Sequence, residues 1–153
     1  MNDIDRRCAE IGVKLTEVPI VVANYVPVVI YRQIATISGQ LPRNIAGIVS
    51  GQVSCALTID EGREAARLCA ISILAALREA LDGDLDRVER CIQLTGFVNS
   101  PAEFTEHPDV VNGASDLIVE VFGPRGHHAR VAVGVSSLPL GAAVEVSATF
   151  AVT

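Results

Sequence analysis

A chain of 153 residues, half of them apolar, can bury roughly 70% of the surface its unfolded form exposes, which excludes disorder and suits a single domain over residues 1–153. The formal net charge of −6, with Lys14 the only lysine, counts against a polyanion partner, because phosphate-dominated binding needs clustered Lys and Arg. With no Trp and few other aromatics, the chain also lacks the stacking platforms of single-stranded nucleic-acid binders, so no nucleic-acid partner is expected.

Met1 to Asp5 has neither the basic region nor the apolar stretch of a signal peptide. Residues 3 to 12 read as a short amphipathic helix, with Ile4, Cys8 and Ile11 on one stripe and Gly12 at its end, so that residues 1–17 form an N-terminal helical extension. The most apolar run, Pro19 to Ile30, is too short to span a bilayer and carries Asn24 and Pro27, so no membrane partner is expected and the reading is cytoplasmic. β-Branched runs at 19–22, 26–31 and 34–38 predict short strands, broken at Asn24 and Arg32-Gln33. Gly39, Pro42, Gly47 and Gly51 make residues 39 to 57 a long structured loop.

Thr58-Ile59-Asp60-Glu61 matches a capping box, and Ala66, Cys69, Ala70, Ile73, Leu74, Leu77 and Leu81 then recur at helical spacing before Gly83. A long helix follows from this, with Arg63, Glu64, Arg67, Arg78 and Glu79 on its solvated side. Cys91 to Val98 reads as a strand. A second core helix starts near Pro108, a favoured first helical position, with Val111, Ala114, Leu117, Ile118 and Val121 on one face and Gly123-Pro124 at its close. Two last strands, about 129–135 and 143–151, flank the turn Leu138-Pro139-Leu140-Gly141. The order β-β-β-α-β-α-β-β predicts an α+β layer with strands under two helices.

Four cysteines, Cys8, Cys55, Cys69 and Cys91, lie far apart without a Cys-x-x-Cys pair; they read as reduced, mostly buried small hydrophobes, with neither a metal site nor a disulfide framework. Alternation sorts the last two strands. Val131, Val133 and Val135 share one face and Arg130, Ala132 and Gly134 the other; Val144, Val146, Ala148 and Phe150 oppose Glu145, Ser147 and Thr149. The valine faces are the expected partners of the helices, leaving Arg130 and Glu145 on a surface of small residues. There Arg130 presents a planar fork to a carboxylate, or else forms an exposed or intersubunit Arg–Glu pair; the pattern alone leaves both open. His127-His128 follows Gly126 in a turn, and adjacent histidines point apart, so they make a poor chelate. His107 reads as a helix-entry residue. Ser38-Gly39 and Ser50-Gly51 lack the Gly-x-Ser-x-Gly elbow, and neither a P-loop nor a dinucleotide-binding glycine fingerprint occurs.

Ser38-Gly39-Gln40-Leu41-Pro42 is similar to the Ser-Gly-Gln-x-Pro motif of the RidA/YjgF/UK114 family. His128-Ala129-Arg130, Ser137-Leu138-Pro139, Gly141 and Val144-Glu145-Val146 resemble that family's ending, with Phe97-Val98, Phe104 and Asn112 in order between them. The resemblance spans roughly Asn24 to Val152, and the stretches 112–116 and 126–130 look like a subgroup with an added N-terminal helix. It implies a chorismate-mutase-like homotrimer with pockets between subunits, where reactive enamines and imines are hydrolysed to 2-keto acids and ammonia without cofactor or metal. On that resemblance Arg130 binds the carboxylate of an imino-acid ligand and Glu145 places water, while Tyr25, Gly39, Ala132 and Asn112 line the pocket. The chemistry needs only orientation, a fixed countercharge and a positioned water, since a protonated imine is already electrophilic. Three departures stand out: Val131 and Ala132 replace the usual Ser/Thr and Cys after the Arg, Asn24 replaces a common Pro, and the loop from Pro42 to Thr58 is longer. A binding protein that holds a small carboxylate without turnover is the alternative; an endoribonuclease, an activity attached to the family by name, fits an acidic chain least.

Overall fold

A computed structural model describes residues 1–15 and 21–153 and builds a mixed five-stranded sheet with its two long helices on one face. In chain order the elements are α1 (Asp3–Glu10), β1 (Val28–Tyr31), β2 (Ile34–Gln40), a small hairpin of β3 (Arg43–Asn44) and β4 (Gly47–Ile48), α2 (Ile59–Ala80), β5 (Val88–Asn99), α3 (His107–Phe122), β6 (Ala129–Val135) and β7 (Val144–Val152). Of the expected strand at 19–22, residues 19 and 20 lie outside the described residues, and Val21 and Val22 have no regular structure. The loop expected at 39–57 contains the β3–β4 hairpin.

The sheet order is β1-β2-β7-β5-β6, antiparallel except for the parallel pair β5–β6. β6 is therefore an edge strand. β1 and β2 are joined through Arg32 and Gln33, which have φ of 47° and 66°. Two successive left-handed residues give a turn whose twist matches that of the flanking strands, and here the positions are filled without glycine.

The capping box of α2 is complete. The Glu61 N–H donates to Thr58 Oγ1 at 3.1 Å and the Thr58 N–H donates to Glu61 Oε2 at 2.7 Å, which satisfies two of the orphan donors at a helix start. α2 buries Ala65, Ala66, Cys69, Ala70, Ile73, Leu74 and Leu77 over β2 and β7, and α3 buries Val110, Val111, Ala114, Leu117 and Ile118 over β5 and β6. α1 joins the same core through Ile4 and Cys8. Asp86 accepts the Asp3 and Ile4 N–H groups at 2.9 and 3.0 Å, and the Arg78 guanidinium donates twice to the Asp5 carboxylate at 3.0 Å. Cys8, Cys69 and Cys91 are buried thiols and Cys55 is exposed; burial raises the first three, Cys91 to about 12. Among the described residues no helix is long and apolar enough to cross a membrane.

Candidate functional site

Strand register decides which side chains share a face. On β6, Arg130 pairs with Leu94 of β5, which pairs with Ala148 of β7; Ala132 likewise aligns with Gly96 and Val146. Leu94, Ala148 and Val146 are core residues, so Arg130 and Ala132 lie on the helix face of the sheet. Gly134 does too, since a Cβ there would meet His107 Nε2 of α3 at 2.5 Å. The expectation that the β6 valines face the helices is overturned: Val131 and Val133 are exposed on the opposite, open face. The same expectation is right for β7, whose Val144, Val146, Ala148 and Phe150 are buried. Because β6 is covered by α3 alone at the sheet edge, the helix side there has room for an arginine. The open side carries the valines.

Arg130 stands under α3 in a recess of about 590 Å³ lined by Asn112, Ser115, His127 and His128 with Asp116 and Glu120. Its Nη1 donates to Asn112 Oδ1 at 2.7 Å and to Ser115 Oγ at 3.1 Å, which uses both Nη1 protons. Among the described residues the Nε and Nη2 protons have no partner. The guanidinium is thus anchored along one edge and open along the other, the arrangement that receives a carboxylate side-on through two parallel bonds.

Glu145 is not part of this recess. It aligns with Phe97 and, through it, with Val133, and so lies on the open face across the sheet from Arg130. The expected Arg130–Glu145 site is not formed within one chain. Glu145 instead packs against Gly39, where a Cβ would come within 2.2 Å of Glu145 Oε1. Glu145 thus fills the space that a side chain at position 39 of the Ser-Gly-Gln stretch would take. Burial, with no cation paired to it among the described residues, raises the Glu145 pKa above the usual carboxylate value. Gly39 and Tyr25 line a second recess of about 350 Å³ together with Pro27, Gln40, Arg43 and Leu140. The six residues singled out in the sequence therefore fall into two groups: Arg130, Asn112 and Ala132 on the helix face near β6, and Tyr25, Gly39 and Glu145 at the other end of the sheet, beside β2 and β7.

Two residues of the Arg130 recess that the sequence did not single out as site residues form a pair. Ser115, mid-helix in α3, and His128, just before β6, are hydrogen-bonded through Oγ and Nε2 at 2.9 Å. His128 Nδ1 lies 2.6 Å from the Gly126 carbonyl oxygen. A carbonyl only accepts, so Nδ1 carries the proton; in the neutral ring Nε2 then accepts and the Ser115 hydroxyl donates. Burial lowers the His128 pKa, and the nearby Arg130 and His127 lower it further, against the pull of the Gly126 bond. What sequence spacing hides is the serine thirteen residues away from His128. Among the described residues no three His, Cys, Asp or Glu side chains come together as a metal-binding group.

A family model described as "YjgF/chorismate_mutase-like, putative endoribonuclease" matches residues 5–151. Protein TCP17 of Trypanosoma cruzi is 50% identical over 140 residues, covering 90% of this chain and 87% of that protein. Among solved structures, a protein of unknown function from Agrobacterium tumefaciens superposes with a TM-score of 0.89 at 44% identity, covering 98% of this chain and 92% of that one. A Shewanella oneidensis protein described as a "putative endoribonuclease" gives a TM-score of 0.93 at 32% identity, covering 99% and 100%.

Proposed function

Because the chain belongs to the YjgF/chorismate-mutase-like family and carries its fold, we propose that the Arg130 recess binds a small 2-imino or enamino acid and, in a homotrimer, hydrolyses it to a 2-keto acid and ammonia. The observation that carries this reading is the half-used guanidinium of Arg130: Asn112 and Ser115 hold one edge, and the Nε/Nη2 edge faces an open recess. The ligand carboxylate docks on that edge. Water adds to the imine carbon, ammonia leaves, and the carbonyl oxygen of the keto acid comes from that water. No cofactor enters the balance.

Glu145, half-buried and with its pKa raised by that burial, holds the water in this proposal, and it reaches Arg130 only from a neighbouring copy. The exposed apolar residues on the open sheet face, Val131 and Val133 among them, support such an assembly. Four free thiols, three of them buried, suit the reducing cytoplasm in which we place the protein. The net charge of −6 speaks against RNA as the substrate.

A second reading, carboxylate binding without turnover, is favoured by two features: Ala132 offers no side-chain group beside Arg130, and Glu145 lies on the other face of the same chain. Ammonia release from 2-aminoacrylate, run beside pyruvate titration of wild type and Arg130→Lys, separates the readings. We expect release above the buffer rate, and keto-acid binding weakened at least about tenfold by Arg130→Lys, since a charged hydrogen-bond partner in a half-buried cleft is worth about 1.5–3 kcal/mol and lysine lacks the fork. Binding without ammonia release selects the second reading. Unchanged binding in a folded Arg130→Lys protein removes Arg130 from the site.

A further inference from the structure

The geometry points to Ser115 as a nucleophile activated by His128, and we propose that the recess under α3 carries an acyl-transfer activity toward small, activated esters. Three relations support it. Ser115 Oγ and His128 Nε2 are 2.9 Å apart, within the reach expected of a nucleophile and its general base. The base is oriented by a third group, the Gly126 carbonyl at 2.6 Å from Nδ1, which fixes the tautomer that leaves Nε2 free to take a proton. The Arg130 guanidinium, 3.1 Å from Oγ, supplies a positive charge beside the oxygen that must become nucleophilic and beside the oxyanion that follows. All three side chains line the recess, so an acyl compound reaches them from solvent.

The step balances with water alone. Ser115 Oγ bonds to the ester carbonyl carbon as its proton passes to His128 Nε2. The ester C–O bond breaks, and the departing alkoxide takes that proton to leave as an alcohol. Water, deprotonated in turn by His128, attacks the acyl-serine and releases a carboxylic acid and the free hydroxyl. The net change is ester plus water to acid plus alcohol.

The charged groups around the imidazole set its working range. Burial disfavours the imidazolium most, Arg130 on β6 and His127 beside it add to that, and the Gly126 bond opposes them; Asp116 and Glu120 of α3 are the carboxylates that line the same recess. The downward shift favours the neutral imidazole, the form competent as a base.

This proposal uses the recess of the carboxylate reading without depending on what Arg130 binds. The test treats the purified full chain with a fluorophosphonate probe and locates the adduct by intact-mass and peptide mass spectrometry, with p-nitrophenyl acetate hydrolysis and pyruvate titration in parallel. We expect one adduct, on Ser115, formed at a rate that rises with pH through a pKa below the ordinary histidine value and then levels. Labelling and ester hydrolysis should vanish in Ser115→Ala and fall about 10²–10⁴-fold in His128→Gln, the scale of general-base assistance. An unlabelled wild-type protein overturns the proposal without recourse to any variant, and so does labelling of Ser115 that His128→Gln leaves unchanged. Pyruvate binding without labelling refutes the nucleophile and leaves the carboxylate reading standing; labelling without pyruvate binding does the reverse.

Discussion

Gly113 has no chemistry to offer, yet it sets how closely α2 and α3 approach. A Cβ at that position would lie 1.8 Å from the Arg63 carbonyl oxygen of α2, and the obstacle is backbone, which does not rotate away. Two effects oppose each other in Gly113→Ala. Helix propensity favours alanine by about 0.5–1 kcal/mol, while forcing a methyl into a filled crossing costs about 1–3 kcal/mol or more. The clash wins, so chemical denaturation should show a net loss of about 1 kcal/mol or more; a stabilised variant would mean that the helices separate freely. At this scale the sequence is legible in part. Alternation correctly sorts Arg130 with Ala132 and Glu145 with Ser147, because period two is a property of the strand itself. It does not tell which face meets the helices on a strand covered by one helix at the sheet edge. That is how Arg130 and Glu145 come to be expected on one surface while they stand on two. The Ser115–His128 pair is invisible for a different reason: a helix residue and a pre-strand residue thirteen positions apart meet only once α3 has crossed back along β6.

At the scale of elements, α2 is the best case for reading structure from sequence. Its start follows from local chemistry, the reciprocal Thr58–Glu61 bonds, and its inner face from apolar spacing, so neither needs the rest of the chain. The β3–β4 hairpin is the opposite case: its two residue pairs lie in a glycine- and proline-punctuated stretch without alternation. Tertiary bonds hold that stretch, among them Gly51 N–H to Gly141 carbonyl at 2.9 Å and Val53 N–H to Asn99 carbonyl at 2.8 Å. Among the α2 residues, Leu77 is fully buried near the last turn, amid Ile73 and Leu74 of the same core. Leu77→Ala removes three heavy atoms and leaves a cavity that a well-packed interior closes only in part. The expected loss is about 2–5 kcal/mol by urea denaturation. A loss under about half a kcal/mol would show that the α2 face collapses to fill the space.

For the whole molecule, the open face of the sheet poses the remaining question. Val29, Tyr31, Ile34, Val131 and Val133 lie on it, 38% to 67% exposed, where the helices leave the sheet uncovered. A soluble monomer rarely exposes a broad apolar patch, because each buried Å² of such surface is worth about 25 cal/mol. The sequence suggested a face of small residues at this place; the valines that actually occupy it make a stronger case for self-association. The imine-hydrolysis reading requires more of that assembly: that it bring Glu145 and Tyr25 of one copy to Arg130 of another. We therefore expect light scattering at micromolar concentration to give three times the 16.1 kDa chain mass. Val133→Asp, which places a carboxylate at the β6 edge of the patch, should shift the mass toward one chain while circular dichroism keeps the monomer's helix and sheet. Ammonia release should fall with the trimer, but Arg130 should still bind pyruvate weakly in the dissociated chain, since Asn112 and Ser115 hold it from within. A wild-type monomer mass would leave Glu145 stranded across the sheet from Arg130 and would remove the hydrolytic reading, with carboxylate binding the function that survives.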